Sequence, residues 1–168
     1  MAYSVGDTVV YPHHGAAVIE KTEERELSGE TREYFVLRLT YGDLTLMVPS
    51  DSCEEVGIRD VVTKKQVEQV LEVLRTPEGK APRNWSRRFK ANMERLRSGD
   101  IFQVAEVVRN LATRQADGGL SAGERRMLGK AKQILLSELA VAMRKDEDRV
   151  EAAIRKVLVE AHGIEFDD

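Results

Sequence analysis

The 168-residue sequence contains one cysteine, Cys53, so no disulfide can form within the chain. Its three histidines, His13, His14 and His162, fall with Cys53 at no spacing that a zinc site uses, and no metal centre is expected. No apolar run approaches the roughly 18 residues needed to cross a bilayer, and the start has no signal-peptide pattern. A cytosolic protein without membrane contact is therefore expected. The vocabulary of catalysis is equally thin. There is no Ser-His-Asp order with local support, no Gly-rich phosphate loop and no HExxH. Carboxylates are plentiful, but the pattern puts them on exposed faces, where they serve solubility. Neither an enzyme nor a cofactor is expected. What remains is the composition of a soluble globular chain, 42% apolar and 33% charged, long enough for one ordinary domain or two small ones.

Charge is present in both signs but is not mixed evenly. The chain carries a net charge of -3, yet residues 80–97 hold seven basic residues against the single Glu94, a local charge of +6. Residues 1–60 hold five basic and twelve acidic side chains. Polarity of this kind speaks to partners more than to fold. The basic stretch, RNWSRRFKANMERLR from Arg83 to Arg97, also contains the only tryptophan, Trp85. Cations around an aromatic can hold phosphates while the ring meets a base step. Asn84 reads as an N-cap, and Phe89, Met93 and Leu96 follow at helical spacing. Trp85 lies four residues before Phe89, at the edge of that stripe. The pattern leaves open whether it packs against the core or projects past the helix end, where first-turn amides suit a phosphate.

The first 50 residues read as strands. Thr8–Tyr11 is β-branched and aromatic and stops at Pro12; runs at 16–21, 34–40 and 44–48 follow, divided by Ser28-Gly29 and Gly42-Asp43. In YFVLRLT, Phe35, Leu37 and Leu39 alternate with Tyr34, Val36 and Arg38, as a strand with one better-buried face would. Four or five short strands in so few residues predict a small SH3-like or Tudor-like barrel, a fold that binds partners far more often than it catalyses. No aromatic cage is recognisable in it.

From Thr63 the period becomes helical. Thr63 caps a helix with Val67, Val70, Leu71 and Leu74 on one face, and Thr76-Pro77 stops it. A loop with Gly79 and Pro82 leads into the basic helix, which ends near Ser98-Gly99. Asp100 caps a helix striped by Val104, Val107, Val108 and Leu111. Ser121 and Glu124 form a capping box for a helix with Leu128, Ile134, Leu135 and Leu139. Asp146 opens the last helix, which Gly163 closes. The fold expected is α+β in two domains: a β-barrel at 1–55, a connector at 56–62, and a compact five-helix domain at 63–168. Arg125, Arg126, Lys130 and Lys132 give the fourth of these helices a second basic face.

The string VGDTVVYPHHG at 5–15 closely resembles the start of the CarD family of bacterial transcription regulators. It is also similar to the polymerase-binding module of the transcription-repair coupling factor. The resemblance continues through Gly42-Asp43-Leu44, Val48-Pro49, Asn84-Trp85-Ser86-Arg87-Arg88 and Gly119-Leu120-Ser121-Ala122-Gly123-Glu124, so it covers nearly the whole chain in order. It implies a monomer whose barrel binds the β subunit of RNA polymerase by edge-strand addition. Arg25 matches a family position at that contact, and Met47 falls where some relatives carry a basic residue. The resemblance further implies that the helical domain meets promoter DNA at the upstream edge of the transcription bubble. Trp85 would act there as a minor-groove wedge that stabilises the open complex, with Arg87, Arg88, Lys90 and Arg125 on phosphates. Two other functions stay in view: a free-standing nucleic-acid binder, and a helical adaptor with no DNA contact. The acidic total argues against the first of these.

Overall fold

The computed structural model describes residues 3–42 and 44–164, so Asp43 of the Gly42-Asp43-Leu44 string lies outside the described residues. Alternation in the first third builds five antiparallel strands, β1 (Thr8–Tyr11), β2 (Gly15–Leu27), β3 (Glu30–Leu39), β4 (Thr45–Pro49) and β5 (Arg59–Asp60). Their order across the sheet is β4-β3-β2-β1-β5. Val9, Ala17, Ile19, Phe35, Leu37, Leu39 and Val48 close a small apolar core. This is the SH3/Tudor-like module that the strand pattern predicts.

Two of its strands are longer than expected, 13 residues for β2 and 10 for β3. Ser28 (φ 53°) and Gly29 (φ 82°) make a two-residue turn with left-handed geometry at both positions, the form whose twist matches a hairpin. Pairing therefore runs unbroken from Lys21↔Val36 out to Leu27↔Glu30. A register shift between Ile19 and Lys21 bends β2, so its first part closes the core while the rest projects as an exposed arm.

The stretch expected as a connector is also structured. Before it, Cys53 is buried under the barrel at the head of a short helix, α1 (Cys53–Val56). Then Arg59 and Asp60 pair with Val10 and Val9 of β1. Five helices follow: α2 (Lys64–Arg75), α3 (Trp85–Arg97), α4 (Ile101–Gly118), α5 (Ala122–Met143) and α6 (Glu147–His162). Thr63, Asn84, Asp100, Ser121 and Asp146 each accept a first-turn N–H, as their positions in the sequence predict. The apolar stripes meet in one core running from Val62 to Ile164.

The two cores are joined through α5. The β1–β2 turn, Pro12-His13-His14-Gly15, lies on its middle turns. Any side chain at Gly15 would collide with the Ser137 hydroxyl, and the Ala16 N–H donates to Ser137 Oγ at 3.1 Å. Pro12 packs against Gly57 and Gly99, so both domains close on one proline. Beside it, Glu138 is fully buried and accepts a bidentate pair from Arg59, both bonds at 2.7 Å, and a third from the Val62 N–H at 2.9 Å. The carboxylates of this chain are thus not all on exposed faces. Glu138 lies three residues after Leu135 and four after Ile134, on the apolar side of its helix, and Glu124 is buried as well.

Candidate nucleic-acid interface

Helix α3 starts where Asn84 turns the chain, its Oδ1 accepting the Arg87 N–H at 3.2 Å. In the first turn, Trp85 is 44% exposed, and it therefore stands outside the core rather than in it. Its indole is nonetheless fixed on two sides. One face stacks on Phe89, with centroids 5.0 Å apart and planes 20° from parallel. Phe89 in turn rests on Gly123, where a Cβ would come within 3.3 Å of the ring. The Nε1–H donates to Glu124 Oε1 at 3.0 Å.

Glu124 is also the N3 member of the capping box of α5. The same oxygen accepts the Ser121 N–H at 3.2 Å, and the Glu124 N–H donates back to Ser121 Oγ. Burial alone would raise this carboxyl's pKa. The bonds from the Ser121 backbone and the Trp85 indole, with the field of Arg114, outweigh it and hold the value below the ordinary glutamate range. At neutral pH the acceptor is therefore ionised, and the indole bond is charge-assisted. One carboxylate caps α5 and aims the tryptophan of α3.

This arrangement places the N-termini of two helices side by side and gathers cations there. Arg87 and Lys90, one turn apart on α3, are exposed, as is Arg125, next to Glu124 on α5. None of the three is in an ion pair among the described residues. Beneath Phe89 a groove of about 250 Å³ has Met93, Leu96 and Met127 for its floor, with Arg97, Arg126 and Lys130 along its edge. Arg88 is placed differently. It lies on the other flank of α3, donates to the Arg83 carbonyl at 2.8 Å, and keeps its Nε buried. The two helix ends supply N–H dipoles and unpaired cations around an exposed, immobilised aromatic, an arrangement suited to a phosphate backbone and an unstacked base.

In the barrel, the register brings Arg25 and Met47 to one sheet face. Met47 pairs with Val36 and Val36 with Lys21, and two residues further along each strand comes the Tyr34–Glu23 row, then Arg32–Arg25. Met47 is 37% exposed, and Arg25 approaches Glu23 at 3.6 Å. The outer edge of β4 has no strand partner among the described residues.

Two family models match this chain in sequence order. Residues 3–62 match the CarD-like/TRCF RID domain and residues 69–155 match the CarD C-terminal domain. The chain belongs to the CarD family. A curated relative from Bacillus subtilis (strain 168), YdeB, named as a transcription factor, is 34% identical over 139 residues, 83% of this chain and 91% of its own length. The solution NMR structure of the 72-residue N-terminal domain of Myxococcus xanthus CarD is 28% identical, covering 34% of this chain and 76% of that domain, with a TM-score of 0.30. As a CarD-family chain with an RNA-polymerase-interaction module, it is a transcription regulator.

Sequence reasoning named Trp85 but missed what aims it. Glu124 enters the sequence reading only as half of a capping box, and Phe89 only as stripe. The signal for both is the spacing: Phe89 is one turn after Trp85, while Glu124 opens a helix whose next positions are basic. Only the tertiary fold brings the two together.

Proposed function

We propose that this chain binds the β subunit of RNA polymerase through its barrel and uses the α3–α5 helix ends to hold promoter DNA at the upstream edge of the transcription bubble. The observation that carries this reading is the Trp85 indole, exposed yet locked by Phe89 and Glu124 beside Arg87, Lys90 and Arg125. A ring that needs no ordering on contact loses little entropy when it meets a base step. Set into the minor groove at a distorted step, it must be expelled before the duplex can restack. Unstacking costs a few kcal/mol, so a well-placed ring extends open-complex lifetime by about tenfold or more. Arg87, Lys90 and Arg125 hold adjacent phosphates and fix its register. Arg88 adds charge to the same helix end. With so few phosphate contacts, affinity for free duplex is low, and tethering to polymerase provides the effective concentration. On the barrel, the open edge of β4 is the strand that pairs; Met47 lies on β4 itself, and Arg25 lies two strands away on the same face.

The test is Trp85→Ala measured in two ways. Stability should fall by only about 1–2 kcal/mol, the loss of a ring stack and one hydrogen bond. Open complexes should dissociate about tenfold faster while polymerase affinity holds. A stability loss of about 3–5 kcal/mol, with promoter effects tracking only the folded fraction, would mean that Trp85 is a packing residue. Arg25→Glu tests the other half: it adds a negative charge beside Glu23, Glu24 and Glu26 and should weaken polymerase binding without changing the melting temperature.

A further inference from the structure

The flank of α3 that turns away from Lys90 faces α4 across a second cleft, of about 180 Å³, covered by the loop that contains Glu78 and Lys80. Its inner wall is a buried polar chain. Arg109, on α4 and 8% exposed, donates Nε–H and one Nη2–H to Asn110 Oδ1, and Asn110 Nδ2 donates to Asn92 Oδ1 on α3. A third Arg109 N–H goes to the Val73 carbonyl. That accounts for three of the five N–H donors of its guanidinium, leaving one on each terminal nitrogen. Arg88 Nε, at the same cleft, is buried without a partner. Arg114 and Lys80 complete the cationic lining, and neither has a carboxylate within 4 Å among the described residues.

Two carboxylates stand against these cations. Glu106 is engaged by Arg95 at 3.4 Å. Glu78 is held by no hydrogen bond at its buried Oε2, and it acts on Arg109 through its charge alone. Five cations and two carboxylates leave a net +3 around one cleft. Buried donors without acceptors are costly, more so for charged groups, and a planar fork of Arg donors matches phosphate oxygens. The volume is below the roughly 300–1,000 Å³ of pockets that enclose whole small molecules, so it suits a single phosphoryl group.

We propose that this cleft is a phosphoryl-binding site, separate from the Trp85 face, in which Arg88, Arg109 and Arg114 donate to the oxyanion and Glu78 turns out on its loop to admit it. The shared chemistry is a phosphate oxyanion, either at the end of a small molecule or in a nucleic-acid backbone. The same loop runs on to Asn84 and Trp85 at the start of α3.

Calorimetric titration of the full chain with inorganic phosphate, at a constant ionic strength of about 0.15 M, should give one saturable site with a Kd at or below about 1 mM. Arg114→Glu should weaken it by about tenfold or more. Glu78→Gln should tighten it several-fold, an outcome that a poorly folded variant could not produce. Lys156→Glu, an equal change of charge on α6 and outside the cleft, should leave it within about twofold. Competition by a short duplex assigns the site to backbone phosphate, and indifference to duplex assigns it to small anions. No saturable heat, or equal weakening by Lys156→Glu and Arg114→Glu, overturns the proposal.

Discussion

Helix α5 buries two carboxylates, and they are used in opposite ways. Glu138, toward its C-terminal end, meets a guanidinium head-on and a backbone N–H, and so ties the barrel to the helical domain. Glu124, at its start, meets neutral donors only, the Ser121 amide and the Trp85 indole. The first neutralises a cation inside a domain joint. The second keeps its negative charge while steering an exposed ring on the surface proposed for DNA. The same residue type on the same helix thus serves cohesion in one place and aim in the other, and partner chemistry decides which.

That contrast predicts unequal consequences. Glu138→Ala leaves Arg59 in the joint without its counter-charge and the Val62 N–H without an acceptor. The loss should be the largest of any single change here, about 3–5 kcal/mol by urea unfolding. Glu138→Ala combined with Arg59→Met should recover much of it, because the stranded charge goes too. If Glu138→Ala cost under about 1 kcal/mol, the joint would not be a source of cohesion.

Glu124→Ala should cost less, about 1–2 kcal/mol, since a capping box is lost but the freed indole can turn to water. Its main effect belongs to aim. Open complexes should dissociate faster while polymerase binding stays level, because Trp85 would have to be ordered on contact. Glu124→Gln keeps an acceptor oxygen in a cap position that glutamine also fills, and should restore most of both. If Glu124→Ala left open-complex lifetime unchanged, the ring's fixed pose would not matter.

The sequence reveals these two glutamates to different degrees, and for physical reasons. The capping box at Ser121 and Glu124 is local, so its spacing is readable, as are all five helix caps and the barrel's alternation. The Trp85–Glu124 bond joins residues 39 apart, and no local rule speaks to it. Glu138 could have been flagged by its place among Ile134, Leu135 and Leu139, but general carboxylate behaviour pointed to the surface. The string YPHHG is similar. Its turn chemistry is legible, whereas its packing on Ser137 and between Gly57 and Gly99 depends on how the two domains meet. The long β2–β3 arm escaped notice because Lys21–Glu26 is charged, and two strands can stay paired beyond a core if the turn fits.

The smallest effect is also the most specific to Glu124. Its carboxyl is held below the ordinary glutamate value in the folded chain, despite burial that acts the other way. A folded-state pKa lowered in this way contributes stability that is complete above the unfolded-state value and is lost as pH falls through the folded one. Because Trp85 is the only tryptophan, its emission reports on this carboxylate directly. Lowering the pH should produce an emission change centred below the ordinary glutamate pKa, before the near-ultraviolet signal of global unfolding. Glu124→Gln should abolish that step and leave the unfolding transition in place. Arg114→Gln should move the midpoint upward, because Arg114 is among the charges that favour the ionised form. A step that persists in Glu124→Gln would show that another carboxylate governs the ring, and Glu124 would then cap its helix without aiming the tryptophan.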